Sequence, residues 1–105
     1  MYINHYILEI GFFLTAKNKL CLETGEIAVD DLKTCMIAAD KLDKKFEATE
    51  NYDNMPKGCF CTLDIEGKEW KLGTVGKPEW KVFFNRHSTG SSNKMAHQIC
   101  KSTGI

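Results

Sequence analysis

The sequence lacks a surplus of either charge: 14 Lys and Arg balance 14 Asp and Glu over 105 residues, and the pI is about 6.8. Without a basic surplus there is no electrostatic footprint for nucleic acid or an anionic membrane, and nothing points to a strongly acidic partner. Proline is scarce, with two residues, and neither an internal repeat nor a low-complexity tract occurs, which excludes fibrous and disordered classes. No apolar run approaches the roughly 18 residues of a membrane span, so membrane insertion is not expected. No asparagine heads an Asn-x-Ser/Thr sequon. The apolar opening over 1–10 has no Lys or Arg in front, carries Glu9 inside it and lacks a cleavage site, so no signal peptide is expected. What remains is one domain, 1–105, with 43% hydrophobic residues. A chain of this size buries roughly two thirds of its unfolded surface, enough for one modest core.

Cysteine is the residue the sequence does have. Cys21, Cys35, Cys59, Cys61 and Cys100 are many for a reduced intracellular chain and few for a scaffold held by disulfides alone. In an oxidising compartment an odd number leaves at least one thiol, and spacing does not choose among the frameworks of two bridges and one thiol.

Hydrophobic periodicity supplies the elements. Residues 2–10 alternate, with Tyr2, Tyr6, Leu8 and Ile10 against Ile3, His5 and Ile7, and predict a central strand. Between Gly11 and Gly25 the apolar Phe12, Phe13, Leu14, Leu20 and Leu22 mix with Lys17, Asn18 and Lys19, as in a turn followed by a second short strand. Beyond Asp30 the period changes. Leu32, Cys35, Met36, Ala39, Leu42 and Phe46 form the stripe of an amphipathic helix over 31–45 that turns Cys35 inward. Asp30 or Asp31 caps its first amides, and Lys44 and Lys45 suit the negative end of its dipole. Residues 47–57 read as a polar loop ending at Met55-Pro56-Lys57-Gly58. A strand follows over 59–65, with Cys59, Cys61, Leu63 and Ile65 on one face and Phe60, Thr62 and Asp64 on the other. Glu66-Gly67 then turns tightly into a strand over 68–72, and a loop over 73–78 leads on. Over 79–85, Trp80, Val82 and Phe84 alternate with Lys81, Phe83 and Asn85, both sides meeting protein. The chain turns polar from Arg86 to Asn93, and its end is anchored by Ile99 and Cys100. The expected fold class is α+β, with one amphipathic helix on a twisted antiparallel sheet of about four to five strands.

Several constellations carry chemistry on paper. Cys59-x-Cys61 and His97-x-x-Cys100 offer four zinc-type ligands, but cysteines at i and i+2 of a strand are not the turn-borne knuckle zinc sites use, so no metal is expected. A thiol- or zinc-dependent hydrolase would use Cys61 with His87 or His97, yet a nucleophile needs a base within hydrogen-bond reach and an orienting third group, and no spacing implies that contact. The run after Asn85 has only Gly90 and Lys94 of what a phosphate loop needs. Its plainer reading is a compact turn in which Asn85, Ser88 and Thr89 satisfy backbone amides, His87 bonds its own loop and Gly90 takes a positive φ. Trp70 and Trp80 fit either core packing or a sugar-stacking platform. Asp30, Asp31, Asp40 and Asp43 form a solvated face that polarises the helix, without the convergence of a glycosidase pair.

The segments Met55-Pro-Lys-Gly-Cys59-Phe, Val82-Phe-Phe-Asn-Arg-His-Ser-Thr-Gly-Ser-Ser-Asn93 and Gln98-Ile-Cys100-Lys resemble a small cysteine-containing domain that recurs in uncharacterised proteins of algae, dinoflagellates and other aquatic eukaryotes. The likeness extends upstream, where Cys35 precedes Ala38-Ala39 in the helix. At the level of topology the chain also looks like the PAN/apple adhesive modules, in which a cysteine-bearing helix is stapled to an antiparallel sheet. The resemblance, taken with the strand and helix faces, implies bridges Cys35–Cys59 and Cys21–Cys100, with Cys61 as the free thiol.

The function expected from these readings is non-enzymatic: a binding or docking module, either an extracellular-type protein- or carbohydrate-interaction domain or a small structural subunit of a larger assembly such as a virion or organelle complex. The expected contact surface is Trp70, Trp80, Asn85, His87, Ser88, Thr89, Gly90, Ser91 and Asn93, with no cofactor. Crowding of Phe12, Phe13 and Leu14 suggests apolar surface continuing onto a partner. The compartment expected is extracellular or otherwise oxidising, such as an organelle lumen or a virus particle.

Overall fold

The computed structural model describes residues 11–64 and 79–102. The expected strand at 2–10 and the hairpin at 66–72 lie outside them, as does Trp70. In chain order the elements are β1 (Phe12–Leu14), a 3₁₀ turn (Cys21–Thr24), β2 (Ile27–Ala28), α1 (Leu32–Lys41), β3 (Lys45–Glu50), β4 (Pro56–Asp64), β5 (Glu79–Gly90) and β6 (Ala96–Lys101). They form one six-stranded sheet ordered β1-β6-β4-β5-β3, with β2 also on β6. The α+β class stands, but the sheet is larger than expected and mixed: β3 runs parallel to β5 while the other pairs are antiparallel.

The helix is shorter than its stripe suggests. Asp31 caps it by accepting the Thr34 amide at 2.9 Å, and that bond holds the Asp31 carboxyl below its usual range. At the other end Asp43 enters the left-handed region (φ 60°), its amide donates to the Asp40 carbonyl and that of Lys44 to the Ala39 carbonyl, and the chain leaves as a strand. Phe46 therefore belongs to β3, where it still packs on the core. An apolar residue at that offset satisfies the helical period and the strand face equally. The polar residues read as loop begin as an edge strand with an exposed Lys45–Glu47 pair at 3.8 Å, the charged edge that discourages further pairing.

One face of the sheet carries the helix. Cys35, Ala38 and Ala39 are buried against Val29, Cys59, Cys61, Val82 and Ile99, with Phe12, Leu14, Leu42, Phe46, Trp80 and Phe84 at the margin. Leu32 and Met36, expected inward, are 40% and 49% exposed. The buried stripe has rotated onto alanine because small side chains let the helix lie close to the sheet, where the Cys35–Cys59 bridge (Cα–Cα 5.3 Å) holds it. Phe12 and Leu14 are core neighbours, and among the described residues the exposed large apolar side chains are Leu22, Ile27, Leu32, Met36, Ile37, Tyr52 and Met95.

Register places the second bridge on the opposite face. Phe60 pairs with Gln98 and Cys61 with His97, so Phe60, Gln98 and Cys100 point away from the helix. There Phe60 stacks on Phe83 with centroids 5.5 Å apart, and Cys100 bonds to Cys21 (Cα–Cα 5.7 Å). Gln98 braces the same region, accepting the Cys21 amide on Oε1 at 2.6 Å and donating from Nε2 to the Lys57 carbonyl at 2.8 Å. The two bridges thus staple opposite faces, the covalent state of an oxidising environment. Among the described residues no helix is long and apolar enough to cross a membrane.

Candidate binding site

The polar run from Asn85 onward is not a loop. β5 continues to Gly90, and its polar side chains hold the connection between β3 and β4. Because β3 and β4 flank β5 on opposite sides, the chain between Glu50 and Pro56 must cross over that strand. Crossing backbone cannot join a ladder along its length, so beyond the bond from the Ser91 amide to the Met55 carbonyl its donors and acceptors need further partners. Asn85, 1% exposed, supplies them. Its Oδ1 accepts from the Tyr52 amide at 2.8 Å, and its Nδ2 donates to the carbonyls of Tyr52 (2.8 Å), Met55 (3.0 Å) and Pro56 (3.0 Å). Ser91 donates to the Asp53 carbonyl and Asn93 to the Asn54 carbonyl. Gly90 packs so tightly that a Cβ there would lie 2.5 Å from the Met55 oxygen, at a φ of +60°. His87 closes its own turn, Nδ1 accepting from the amides of Thr89 (3.2 Å) and Gly90 (2.9 Å). Within the expected contact segment, Ser88 and Thr89 remain exposed while Asn85, Ser91 and Asn93 are engaged by the crossing chain.

The zinc constellation is dismantled by the bridges, since Cys59 and Cys100 are both oxidised. Among the described residues no group of three His, Cys, Asp or Glu is placed to hold a metal. Cys61 is a buried free thiol, and burial pushes its pKa up to about 12 against a smaller opposing pull from Lys44. That is the reverse of an activated nucleophile. His97 is its cross-strand partner, but no hydrogen bond joins them. Instead Nδ1 of His97 donates to the Thr15 carbonyl at 2.7 Å, leaving Nε2 buried without a partner among the described residues.

The remaining expected contact residue, Trp80, opens onto a cleft. It is half-buried on β5, packs one side on the core and meets His97 edge-on with centroids 5.3 Å apart. Lys44 Nζ lies over the indole, 4.8 Å from a ring centroid. Around this pair a cleft of about 380 Å³ is lined by Asp40, Asp43, Lys44, Lys45, Glu79 and Trp80. The helix terminus shapes it: the left-handed turn at Asp43 reverses the chain, so Lys44 and Lys45 pass back beside the start of β5. A second, apolar cleft of about 210 Å³ lies on the helix-free face between Tyr52, Met55, Phe60, Thr62 and Phe83.

Comparison with family models, curated proteins and solved structures returned no match to the chain. The site therefore rests on its own chemistry. Sequence reasoning found Trp80 but assigned Asp40, Asp43 and Lys44 to the ends and faces of a helix. No local signal joins them to Trp80, because it is the parallel placement of β3 beside β5 that brings them together.

Proposed function

We propose that this domain is a non-enzymatic binding or docking module of an oxidising compartment, extracellular or the lumen of an organelle or particle, that engages a protein partner or a larger assembly. The observation that carries this reading is the Trp80 cleft, where an aromatic floor, three carboxylates and two lysines converge on a surface with no engaged nucleophile. Exposed Leu32, Met36 and Ile37 on the helix add an apolar surface suited to assembly. A glycan is the less favoured ligand. One side of Trp80 packs on the core and Lys44 lies over the ring, leaving little of either face for a sugar to stack on.

The test pairs a chemical readout with a binding readout. The double variant Cys61→Ala/His87→Ala is expected to keep the native circular dichroism spectrum and every ligand response at Trp80. Hydrolysis of a p-nitrophenyl ester by the native chain, lost in that variant while the spectrum is unchanged, would overturn the docking reading in favour of a thiol enzyme.

A further inference from the structure

We propose that the Trp80 cleft receives the ammonium group of a lysine side chain, presented by a basic segment of a protein partner, in exchange for Lys44. The proposal rests on the docking reading above and narrows it to one chemistry.

The floor of the cleft already holds such a group. An indole face is negative at its centre and attracts a cation within about 6 Å, and Lys44 Nζ sits at 4.8 Å. Among the described residues the lining carries one more carboxylate than ammonium groups. Asp40, Asp43 and Glu79 line the cleft beside Lys44 and Lys45. Lys45, the other cation in the lining, lies 3.8 Å from Glu47, which does not line the cleft. Among the described residues of the lining, Lys44 is the cation seated over the ring, and it shares the cleft with three carboxylates.

An incoming ammonium would gain both the ring face and the carboxylates, so charge complementarity selects a cationic partner. Two ammonium groups on one indole repel, so the partner's lysine must replace Lys44. The exchange needs no backbone movement, because Lys44 carries its charge on a flexible four-carbon stem just beyond the helix. Lys44 acts as an internal competitor: while it covers the ring, only a fraction of molecules are open to a partner, and apparent affinity falls by that fraction.

The experiment follows the indole N–H of Trp80 by ¹H–¹⁵N NMR in the full chain, assigned with Trp70→Phe. The probes are an acetylated, amidated tetralysine peptide, the matching tetraglutamate peptide and the neutral glucan cellotetraose. Tetralysine is expected to shift the Trp80 signal saturably, with affinity falling roughly tenfold between low and physiological salt. The charge-removing, near-isosteric variant Asp40→Asn/Asp43→Asn/Glu79→Gln should weaken it by about tenfold. Lys44→Gln, a change at a half-buried side chain outside the core, should tighten it by about threefold or more. The opposite sign for Lys44→Gln, or a triple variant that binds as well as the native chain, overturns the exchange. If cellotetraose or tetraglutamate moves the indole and tetralysine does not, the cationic partner falls and the docking reading stands. If all three leave it unmoved, both fall.

Discussion

Asn85 shows how one side chain decides a connection. It answers four backbone groups of the 52–56 segment, of which the Met55 carbonyl also accepts the Ser91 amide. Asn85→Leu should lower unfolding free energy by about 3 kcal/mol, since buried amides and carbonyls left without partners cost about 1–3 kcal/mol each. Urea denaturation would read this as a lower midpoint at unchanged slope, and a shift under about 0.5 kcal/mol would refute the clasp. Cys61 makes a second residue-scale prediction. The thiol titrates near 9 when unfolded and is pushed up to about 12 in the fold, so the native state keeps a proton that the unfolded state releases. Stability from this group is therefore full below about pH 9 and declines as pH rises toward 12, by up to about 1.4 kcal/mol per unit. The difference in stability between Cys61→Ala and the native chain should narrow over that window when both are unfolded in urea at stepped pH. A constant difference would mean the thiol is less buried than its 0% exposure indicates.

At the scale of elements, the helix separates pattern from packing. Its apolar stripe includes Leu32 and Met36, yet alanine makes the close contact. Met36→Lys should change stability by no more than about 0.5 kcal/mol, as exposed substitutions do. Ala38→Leu should cost about 1–3 kcal/mol by forcing the helix off the sheet. Thermal unfolding of the two variants checks this, and the reverse order would restore the orientation read from periodicity. The same substitution of pattern by packing ended the helix early: nothing in the spacing distinguishes Phe46 as a sixth helical contact from Phe46 as the second residue of β3.

For the whole molecule, two bridges on opposite faces make the sheet the common anchor of α1 and the 3₁₀ turn. In the chain-entropy account the loops they close, separations of 24 and 79, contribute about 3.5 and about 4.5 kcal/mol. Removing Cys21 and Cys100 together should therefore destabilise more than removing Cys35 and Cys59, by about 1 kcal/mol in urea midpoint terms. Intact mass after alkylation in denaturant without reductant should show one modified cysteine, Cys61, and five after reduction. Five modified without reduction would remove both staples and the oxidising compartment with them.

The sequence by itself determined the α+β class, an aspartate cap at 30 or 31, of which the structure chose Asp31, and the start of the helix. It also determined the alternating faces of β4 and β5, because these depend on periods of two and 3.6 and on local caps carried within a few residues. Spacing alone left the cysteine pairing open, and the structure shows it as Cys21–Cys100 and Cys35–Cys59. Tertiary structure alone decided the rest. The parallel strand β3 is charged and alternates weakly, and only the open edge of β5 makes it a strand. The run after Asn85 reads as a compact polar turn, and only the tertiary structure shows it continuing β5 and clasping the crossing chain. The Trp80 cleft joins residues separated by more than 30 positions, and its charges meet only because the chain turns back at Asp43 and lies beside β5. Local period fixes which way a side chain faces along its own element; which residues it meets there depends on strand order, and strand order leaves no mark in a single sequence.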